Sequence, residues 1–452
     1  MTLTNEGSDR SPARSGLPAV ERRARIPAGF VAGGRAAGIK ASGRTDLALI
    51  ASAGEPLAAA AVFTPNTFAA APVRRSKAVL ATSNGWVRAV ISTSGSANAA
   101  TGRAGDEDQI RVGEIVAAAL GIEDLAVLHL STGIIGTRLP LDKIEAGVGI
   151  LALALTPTDE GLEAAATALR TTDTRTKSAT VTVALPQKTG GTRDVQVTGI
   201  AKGVGMIHPN MATMLSVILT DAAASPELLA SILRPAAART WNQLSVDGDT
   251  STNDTVFLLA SGASAADPVL VGTSAAAELA RAVEAVARDL ARQQAADGEG
   301  ATCLLTCEVT GAADDADARA VARAVISSSL VKAAAHGKDP NWGRIAGAAG
   351  NAKLASVAVL EASGVDPEAA RTRAGTAAAL DPDRLQIRIA GHLVFDGTAG
   401  GPQPFDRAAA REAMNSAEIM IGLDLGLGAG SGEAFGCDLT ETYVRENSEY
   451  TT

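Results

Sequence analysis

Short apolar segments of strand length are interspersed with amphipathic segments of helix length along this chain of 452 residues. The two kinds of segment follow no strict strand–helix–strand rhythm, and many of the loops between them are rich in glycine. No unit of about 20–50 residues repeats, so a solenoid or a propeller is not expected. The pattern predicts an α/β (α+β) fold in which layered sheets pack between helices.

The period of the apolar residues predicts where the individual elements lie. Helices are expected at residues 111–120, 162–169, 226–239, 274–294, 315–329 and 406–416. Strands are expected at residues 87–91, 125–130, 181–184, 195–197, 214–219, 302–309, 355–360, 385–389, 418–425 and 435–443.

The composition is typical of a globular protein, with 46% hydrophobic and 20% charged residues. Only 3% of the residues are aromatic, so the core must consist mainly of Ala, Val, Leu and Ile. The formal charge of −9 argues against nucleic acid or an anionic membrane as a partner. No apolar run is long enough to cross a bilayer, and the polar N-terminus does not resemble a secretory signal. A cytoplasmic location is therefore expected.

Cysteine and histidine are scarce, with three and four residues respectively. An odd number of cysteines does not predict a disulfide framework, and Cys303 and Cys307 are expected to be core thiols. No histidine stands at metal-ligand spacing from another histidine or from a cysteine. Residues 247–253 superficially resemble a calcium loop but lack the glycine and the glutamate that such a loop requires. We therefore expect no metal site and no cofactor.

The segment from residue 202 to 215, KGVGMIHPNMATML, is the most informative part of the sequence. A glycine-rich loop with one lysine ends at the small residue Ala212, directly before Thr213 and an apolar strand. A hydroxyl at the start of a strand can attack the preceding peptide carbonyl, and hydrolysis of the resulting ester would free the α-amine of Thr213. Such an amine has a pKa of about 7.7–8.0 and can serve as the base for its own hydroxyl. The alternative is a threonine that only begins a strand.

This segment resembles the self-cleavage segment of the ornithine acetyltransferase family, the bifunctional glutamate N-acetyltransferases of arginine biosynthesis. Seven further segments resemble the family in the same order, at residues 39–50, 131–136, 171–174, 246–255, 297–302, 339–344 and 437–440. The resemblance covers roughly residues 26–452, and seven ordered motifs are far more specific than any one of them.

The resemblance assigns roles by position. It implies that the chain is cleaved between Ala212 and Thr213, and that Thr213 is the nucleophile that becomes acetylated. It implies that Thr132 and Gly133 form an oxyanion hole from one hydroxyl and one backbone N–H. The residues implied to bind substrate are Thr171, Lys202, Thr213, Glu299, Asn447 and Thr452. Without the resemblance, these would be interpreted as turn residues, a solvated loop charge and a polar C-terminal tail.

The family implies an acetyltransferase with a fold of the self-cleaved N-terminal-nucleophile type. The expected reaction moves acetyl from N-acetylornithine to glutamate and releases ornithine, and acetyl-CoA is a further candidate donor. The expected organisation is a disordered tail at residues 1–25, an alpha chain at 26–212 and a beta chain at 213–452. The beta chain would include a smaller C-terminal α/β subdomain from about residue 310, and two chains of each kind would form a heterotetramer.

Two other functions are compatible with these residues. An amidase or aminopeptidase of the same fold group would use a similar self-freed nucleophile, and water instead of an amine would resolve its acyl-enzyme. A binding or assembly protein could keep the fold without being cleaved.

The loop at residues 93–99 departs from the family pattern. Thr93 and Ser96 stand where the family usually has asparagine. Because a hydroxyl offers fewer hydrogen bonds than an amide, the hydrogen bonding around this loop is expected to differ.

Overall fold

The computed structural model describes residues 16–208 and 214–448. Across these residues it is a mixed α/β structure with a four-stranded, a six-stranded and a seven-stranded sheet. The predicted fold class is therefore confirmed.

In chain order the strands are β1 (Phe30–Arg35), β2 (Leu47–Ser52), β3 (Leu57–Phe63), β4 (Trp86–Val87), β5 (Ala89–Ser96), β6 (Val127–Ile134), β7 (Lys177–Pro186), β8 (Thr192–Lys202), β9 (Leu215–Thr220), β10 (Leu244–Ser245), β11 (Thr255–Ala260), β12 (Leu304–Ala312), β13 (Gln386–Ile389), β14 (His392–Asp396), β15 (Gly401–Pro402), β16 (Glu418–Asp424) and β17 (Gly430–Cys437). The helices are α1 (Ala71–Thr82), α2 (Gly102–Leu120), α3 (Leu141–Leu153), α4 (Asp159–Leu169), α5 (Pro226–Arg239), α6 (Ser274–Ala296), α7 (Asp315–Ser327), α8 (Ser329–His336), α9 (Trp342–Gly350), α10 (Val357–Ala362), α11 (Pro367–Arg373), α12 (Arg407–Ala413) and α13 (Glu441–Ser448).

Two sheets stack face to face between helices. The six-stranded sheet has the order β4-β3-β11-β9-β8-β7, and the four-stranded sheet has the order β1-β2-β5-β6. Successive side chains of a strand point to opposite faces, so a strand that is apolar at every position contributes to two cores. In β11, Val256 and Leu258 pack with α5 and α6, whereas Phe257 and Leu259 face the four-stranded sheet. Helices α2 and α3 cover the outer face of the four-stranded sheet.

A separate core extends from Cys303 to Ala434, where the smaller C-terminal subdomain was predicted from about residue 310. Its sheet has the order β10-β17-β12-β16-β13-β14-β15, and α7, α8 and α9 pack against it. Strand β10 comes from the preceding part of the chain and pairs in parallel with β17. The C-terminal core and the part of the chain that precedes it therefore share a sheet.

Two of the predicted strands need correction. Residues 355–360 were expected to form a strand, but the chain there enters helix α10. The strand expected at 435–443 ends at Cys437, and α13 begins at Glu441. A short apolar run does not by itself distinguish a strand from a buried helical segment.

The N-terminal tail predicted for residues 1–25 does not extend to residue 25. Val20 and Ala24 are buried, and the backbone of Glu21 pairs with that of Thr180. The Arg22 guanidinium also forms an ion pair with buried Asp289 at 3.0 Å. Residues 16–25 are thus anchored by apolar burial and backbone pairing, whereas residues 1–15 lie outside the described residues.

Candidate active site

A cavity of about 290 Å³ opens where the carboxyl ends of β6 and β8 meet the start of β9. Its wall contains six of the predicted site residues, namely Thr132, Gly133, Thr171, Lys202, Glu299 and Asn447. The structure thus brings together residues from five separate parts of the sequence. Thr213, Ala212 and Thr452 lie outside the described residues, so their predicted roles stay predictions.

Backbone pairing and hydrogen bonds fix the described residues on either side of residues 209–213. Lys202, the last residue of β8, pairs with Leu215, the first residue of β9. Met214 is buried, lines the cavity, and accepts a hydrogen bond from the Thr255 amide at 2.9 Å. The residue that follows Thr213 in the sequence is therefore part of the cavity wall.

Before residue 209, Asp247 organises the backbone. Its carboxylate accepts hydrogen bonds from the amides of Met206 and Ile207. His208 contacts the Ser245 hydroxyl at 3.0 Å through Nδ1. Burial, helped by the charges of Arg323 and Lys332, lowers the pKa of His208 to about 4, so its imidazole is neutral at physiological pH.

Gly133 occupies a position that only glycine can fill. Its φ of +131° lies in a region that L side chains rarely adopt. A Cβ at this position would also overlap the backbone of Gly95 on the neighbouring strand β5. The pairing of β5 and β6 shifts register at this point, and the irregularity turns residues 132 and 133 towards the cavity.

The hydroxyl of Thr132 is oriented by Lys202. The ammonium group of Lys202 donates a hydrogen bond to Thr132 Oγ1 at 3.3 Å. Because an ammonium group has no acceptor, the hydroxyl must accept here, and its own proton is left to be donated elsewhere. This is the polarity required of an oxyanion-hole donor.

Asn253 connects the C-terminal ends of β5 and β6 behind Thr132. Its amide nitrogen donates to the carbonyls of Ala97 at 2.7 Å and Ser131 at 2.8 Å. Its carbonyl oxygen accepts from the Thr252 hydroxyl at 2.7 Å. Asn253 is buried, so these bonds satisfy groups that water does not reach, and they hold the backbone next to Thr132 in place.

Lys202 is a buried cation in the cavity wall. Burial lowers the pKa of its ammonium group, and the Asp173 carboxylate, 4.0 Å away, is the strongest influence in the opposite direction. Lys177 lowers this pKa further, whereas Glu299 and Asp254 raise it. A cation in this setting can bind an anionic group of a ligand without competition from bulk water.

Glu299 lies on the wall with both carboxylate oxygens engaged. Oε1 accepts from the Thr172 hydroxyl and Oε2 from the Asn447 side-chain amide, each at 2.9 Å. A Cβ at residue 205 would overlap this carboxylate, so Gly205 makes room for it. The bond to Asn447 also attaches helix α13 to the cavity wall.

Thr93 and Ser96, the two departures from the family pattern, lie behind the cavity. The Thr93 hydroxyl pairs with that of Ser131 at 2.9 Å, and the Ser96 hydroxyl donates to the Thr137 carbonyl at 2.8 Å. Within the described residues, neither side chain is part of the cavity lining. Their hydrogen bonds therefore support the C-terminal end of β6, which carries Thr132 and Gly133, from behind.

The cysteines are buried, and burial raises the pKa of Cys303 to about 11 and that of Cys307 beyond its usual range. Among residues 16–208 and 214–448, no group of histidine, cysteine and acidic side chains is arranged to hold a metal ion. In the same residues, no helix is both long and apolar enough to span a membrane.

Sequence reasoning missed Asp173, Asn253 and Thr172 as individual site residues. All three lie in segments that carried the family resemblance, but nothing in those segments distinguished a buried anchor from a turn residue. Asp173 was detectable only as an acidic residue four positions before a lysine, Lys177, with which it forms an ion pair.

The fold and the cavity are those of an enzyme site whose wall presents both a cation, Lys202, and a carboxylate, Glu299. A match to the family model described as the ArgJ family covers residues 31–452. The chain is 44% identical to the arginine biosynthesis bifunctional protein ArgJ of Thermus thermophilus over 428 residues, which cover 95% of this chain and 99% of the relative. It is 45% identical to the protein of that name from a Synechococcus species over 94% of this chain and 96% of the relative.

Two solved structures each align with only part of this chain. The ArgJ structure from Bacillus halodurans is 35% identical, with a TM-score of 0.45, and the alignment covers 52% of this chain and 99% of that chain. The ornithine acetyltransferase of Mycobacterium tuberculosis, solved with ornithine, is 44% identical, with a TM-score of 0.38 over 42% of this chain and 97% of that chain. From the family model and the full-length relatives, the chain belongs to the ArgJ family. The predicted family and enzyme class are confirmed.

Proposed function

We propose that this protein is a self-cleaving ornithine acetyltransferase that moves acetyl from N-acetylornithine to glutamate through an acetylated Thr213. The observation that carries the proposal is the convergence of Thr132, Gly133, Lys202 and Glu299 on one cavity that Met214 also lines. Thr213 precedes Met214 directly, and the relatives named above are arginine biosynthesis proteins.

In the proposed maturation, the Thr213 hydroxyl attacks the carbonyl carbon of Ala212. The C–N bond between the two residues breaks as an ester forms, and water then hydrolyses the ester to a carboxylate on Ala212. The free α-amine of Thr213, with a reference pKa of about 7.7–8.0, accepts the proton of its own hydroxyl in each later attack.

In the proposed transfer, Thr213 Oγ attacks the acetyl carbonyl of N-acetylornithine. The negative charge that develops on the carbonyl oxygen is stabilised by the Thr132 hydroxyl and the Gly133 amide, and each such donor typically contributes about 10²–10³-fold in rate. The C–N bond then breaks, ornithine takes up a proton and leaves, and the glutamate amine attacks the acetyl-threonine in the second half-reaction.

The charged side chains of the cavity wall match the charged groups of the two proposed substrates, N-acetylornithine and glutamate. We assign the shared α-carboxylate to Lys202, a buried cation beside the oxyanion loop. We assign a substrate ammonium group to Glu299. Its carboxylate would then bind this cation in place of one of its two neutral partners, the Thr172 hydroxyl or the Asn447 amide. Thr171, Asn447 and Thr452 would supply neutral or terminal polar contacts.

The proposed chemistry needs no metal or cofactor, and acetyl-CoA would act only as an alternative donor to Thr213. The cleaved protein would consist of two alpha and two beta chains and would act in the cytoplasm.

An acetyl-exchange assay tests the proposed function. Purified protein is incubated with N-acetylornithine labelled in the acetyl group, and the label is followed with glutamate or with water alone as acceptor. A parallel reaction uses labelled acetyl-CoA and glutamate. Label in N-acetylglutamate supports the transferase, whereas label released only as acetate would establish an amidase instead.

A further inference from the structure

A cluster of buried charges lies behind the cavity wall. Lys177 is fully buried and donates to Asp173 Oδ1 at 2.7 Å and to Asp297 Oδ2 at 2.6 Å. Asp173 and Asp297 are buried as well. Lys202 is the neighbour of this cluster that faces the cavity, 4.0 Å from Asp173 Oδ2. The charges of the cluster thus meet the site at the contact between the side chains of Asp173 and Lys202.

Asp173 also holds the backbone of two loops in the wall. Its Oδ1 accepts from the Gly203 amide at 2.8 Å, and its Oδ2 accepts from the Thr171 amide at 3.1 Å. Gly203 follows Lys202 directly, so one carboxylate sets the position of the lysine backbone and the charge opposite its side chain. A buried carboxylate is tolerated only when it is paired and hydrogen-bonded in this way.

The charges around Lys202 explain why one carboxylate matters more than the others. Besides Asp173, the anions Glu299 and Asp254 and the cations Lys177 and Lys40 also act on Lys202. Burial lowers the pKa of Lys202, and Asp173 is the largest influence that raises it. In turn, burial would raise the pKa of Asp173, but the ammonium groups of Lys202 and Lys177 outweigh burial and hold it well below its usual range.

We propose that Asp173 is a positioning residue of acetyl transfer, which keeps the Lys202 ammonium group charged and directed at Thr132 so that it can bind the substrate carboxylate. The proposal rests on the proposed function, because that function assigns the carboxylate to Lys202. Asp173 lies outside the cavity lining of the described residues, and it acts on the site through the charge that it places beside Lys202 and through its bonds to the Gly203 and Thr171 amides.

The sign of the expected pH effect follows from the charges. Removing the carboxylate of Asp173 lowers the pKa of Lys202, so the ammonium group loses its proton at a lower pH. The KM for N-acetylornithine should then begin to rise at a lower pH than in the wild type. Well below both pKa values, Lys202 is charged in either protein, and the difference in KM should shrink.

The test compares Asp173→Asn with Asp297→Asn. Both substitutions remove one carboxylate from the cluster and both take a partner from Lys177, but Asp297 is not among the largest influences on the pKa of Lys202. In cleaved, folded protein at alkaline pH, Asp173→Asn should raise KM by about tenfold or more, the loss expected for one hydrogen bond to a charged group, with a smaller change in kcat. Asp297→Asn should not change the pH at which KM begins to rise.

Asp173→Glu restores the charge and serves as the conservative variant. Its KM should rise at the pH seen in the wild type, even if the longer side chain lowers kcat. The proposal is overturned if Asp173→Asn and Asp297→Asn shift the profile equally, or if Asp173→Asn leaves it unmoved. If Asp173→Glu is the only variant that folds, the proposal is also overturned when KM in that variant begins to rise at a lower pH than in the wild type.

The proposed function is checked separately with the wild-type protein in the acetyl-exchange assay. If the wild type transfers acetyl and the Asp173 variants keep its pH profile, only the positioning role fails. If the wild type transfers none, calorimetric titration of the same proteins with N-acetylornithine across pH replaces KM with Kd, and the same comparison decides the role of Asp173.

Discussion

Replacing Gly133 with alanine tests the oxyanion hole. A Cβ on Gly133 would collide with the backbone of Gly95, and this backbone cannot give way as a flexible side chain could. The φ of +131° also disfavours any L side chain. The loop must therefore move, and the Gly133 amide moves with it. Because a donor to the transition-state oxyanion typically contributes about 10²–10³-fold, Gly133→Ala should lower kcat by that factor.

Gly136→Ala is the matched control in the same loop. Gly136 also has a positive φ, of +86°, but apart from Gly136 itself and its two chain neighbours no atom of the described residues lies within 4 Å of the Cβ that alanine would add. The control should lose about 1–2 kcal/mol of stability from backbone strain and keep its kcat.

The assay measures labelled acetyl transfer to glutamate by cleaved protein, with thermal unfolding recorded for each variant. Loss of an interaction made only in the transition state should lower kcat and kcat/KM together. The reasoning is refuted if folded Gly133→Ala retains the kcat of the wild type, or if Gly136→Ala loses as much activity.

Three further predictions concern the nucleophile and its surroundings. Thr213→Ala should abolish both self-cleavage on a denaturing gel and acetyl exchange, whereas Thr213→Ser should retain part of each; full activity in the alanine variant would reject Thr213 as the nucleophile. Lys202→Met, once cleavage has been verified, should raise KM by about ten- to a hundredfold and lower kcat less; an unchanged KM with kcat reduced by orders of magnitude would place Lys202 in the bond-making step. Asn253→Ala should lower kcat more than Asn66→Ala, because Asn253 holds Ala97 and Ser131 behind the oxyanion loop whereas Asn66 bonds to the Thr250 carbonyl and the Phe68 amide, neither of which lines the cavity; equal losses would show that Asn253 acts on stability alone.

Local signals in the sequence predicted much of the fold. Helix α5 spans Pro226–Arg239, as expected, because Ser225 caps it through the Leu228 amide and proline occupies its first turn. The prediction failed at α10, where a short apolar run carries no such boundary signal and Ser356 forms no side-chain cap. The two helices therefore differ in the local boundary signals that the sequence carries.

The candidate site was predictable to the extent that the family motifs carry it. Thr132, Gly133, Lys202 and Glu299 each lie in a motif and line the cavity. The anchors behind them were not predictable, because their roles depend on partners far away in the chain. Asn253 donates to carbonyls 156 and 122 residues away, and Asp173 accepts from an amide 30 residues away. Only the folded chain shows that these side chains are buried and paired.

Intact-mass spectrometry of the purified protein, incubated with N-acetylornithine in the absence of an acceptor, tests the central claim most directly. The account predicts two chains of about 21 and 24 kDa, from the 45.4 kDa of the whole chain divided at residue 213. The larger chain should begin Thr-Met-Leu-Ser and gain about 42 Da, one acetyl group on the nucleophile. A single full-length chain in active enzyme, or a cleaved enzyme that transfers acetyl through a ternary complex and never carries the adduct, would contradict it.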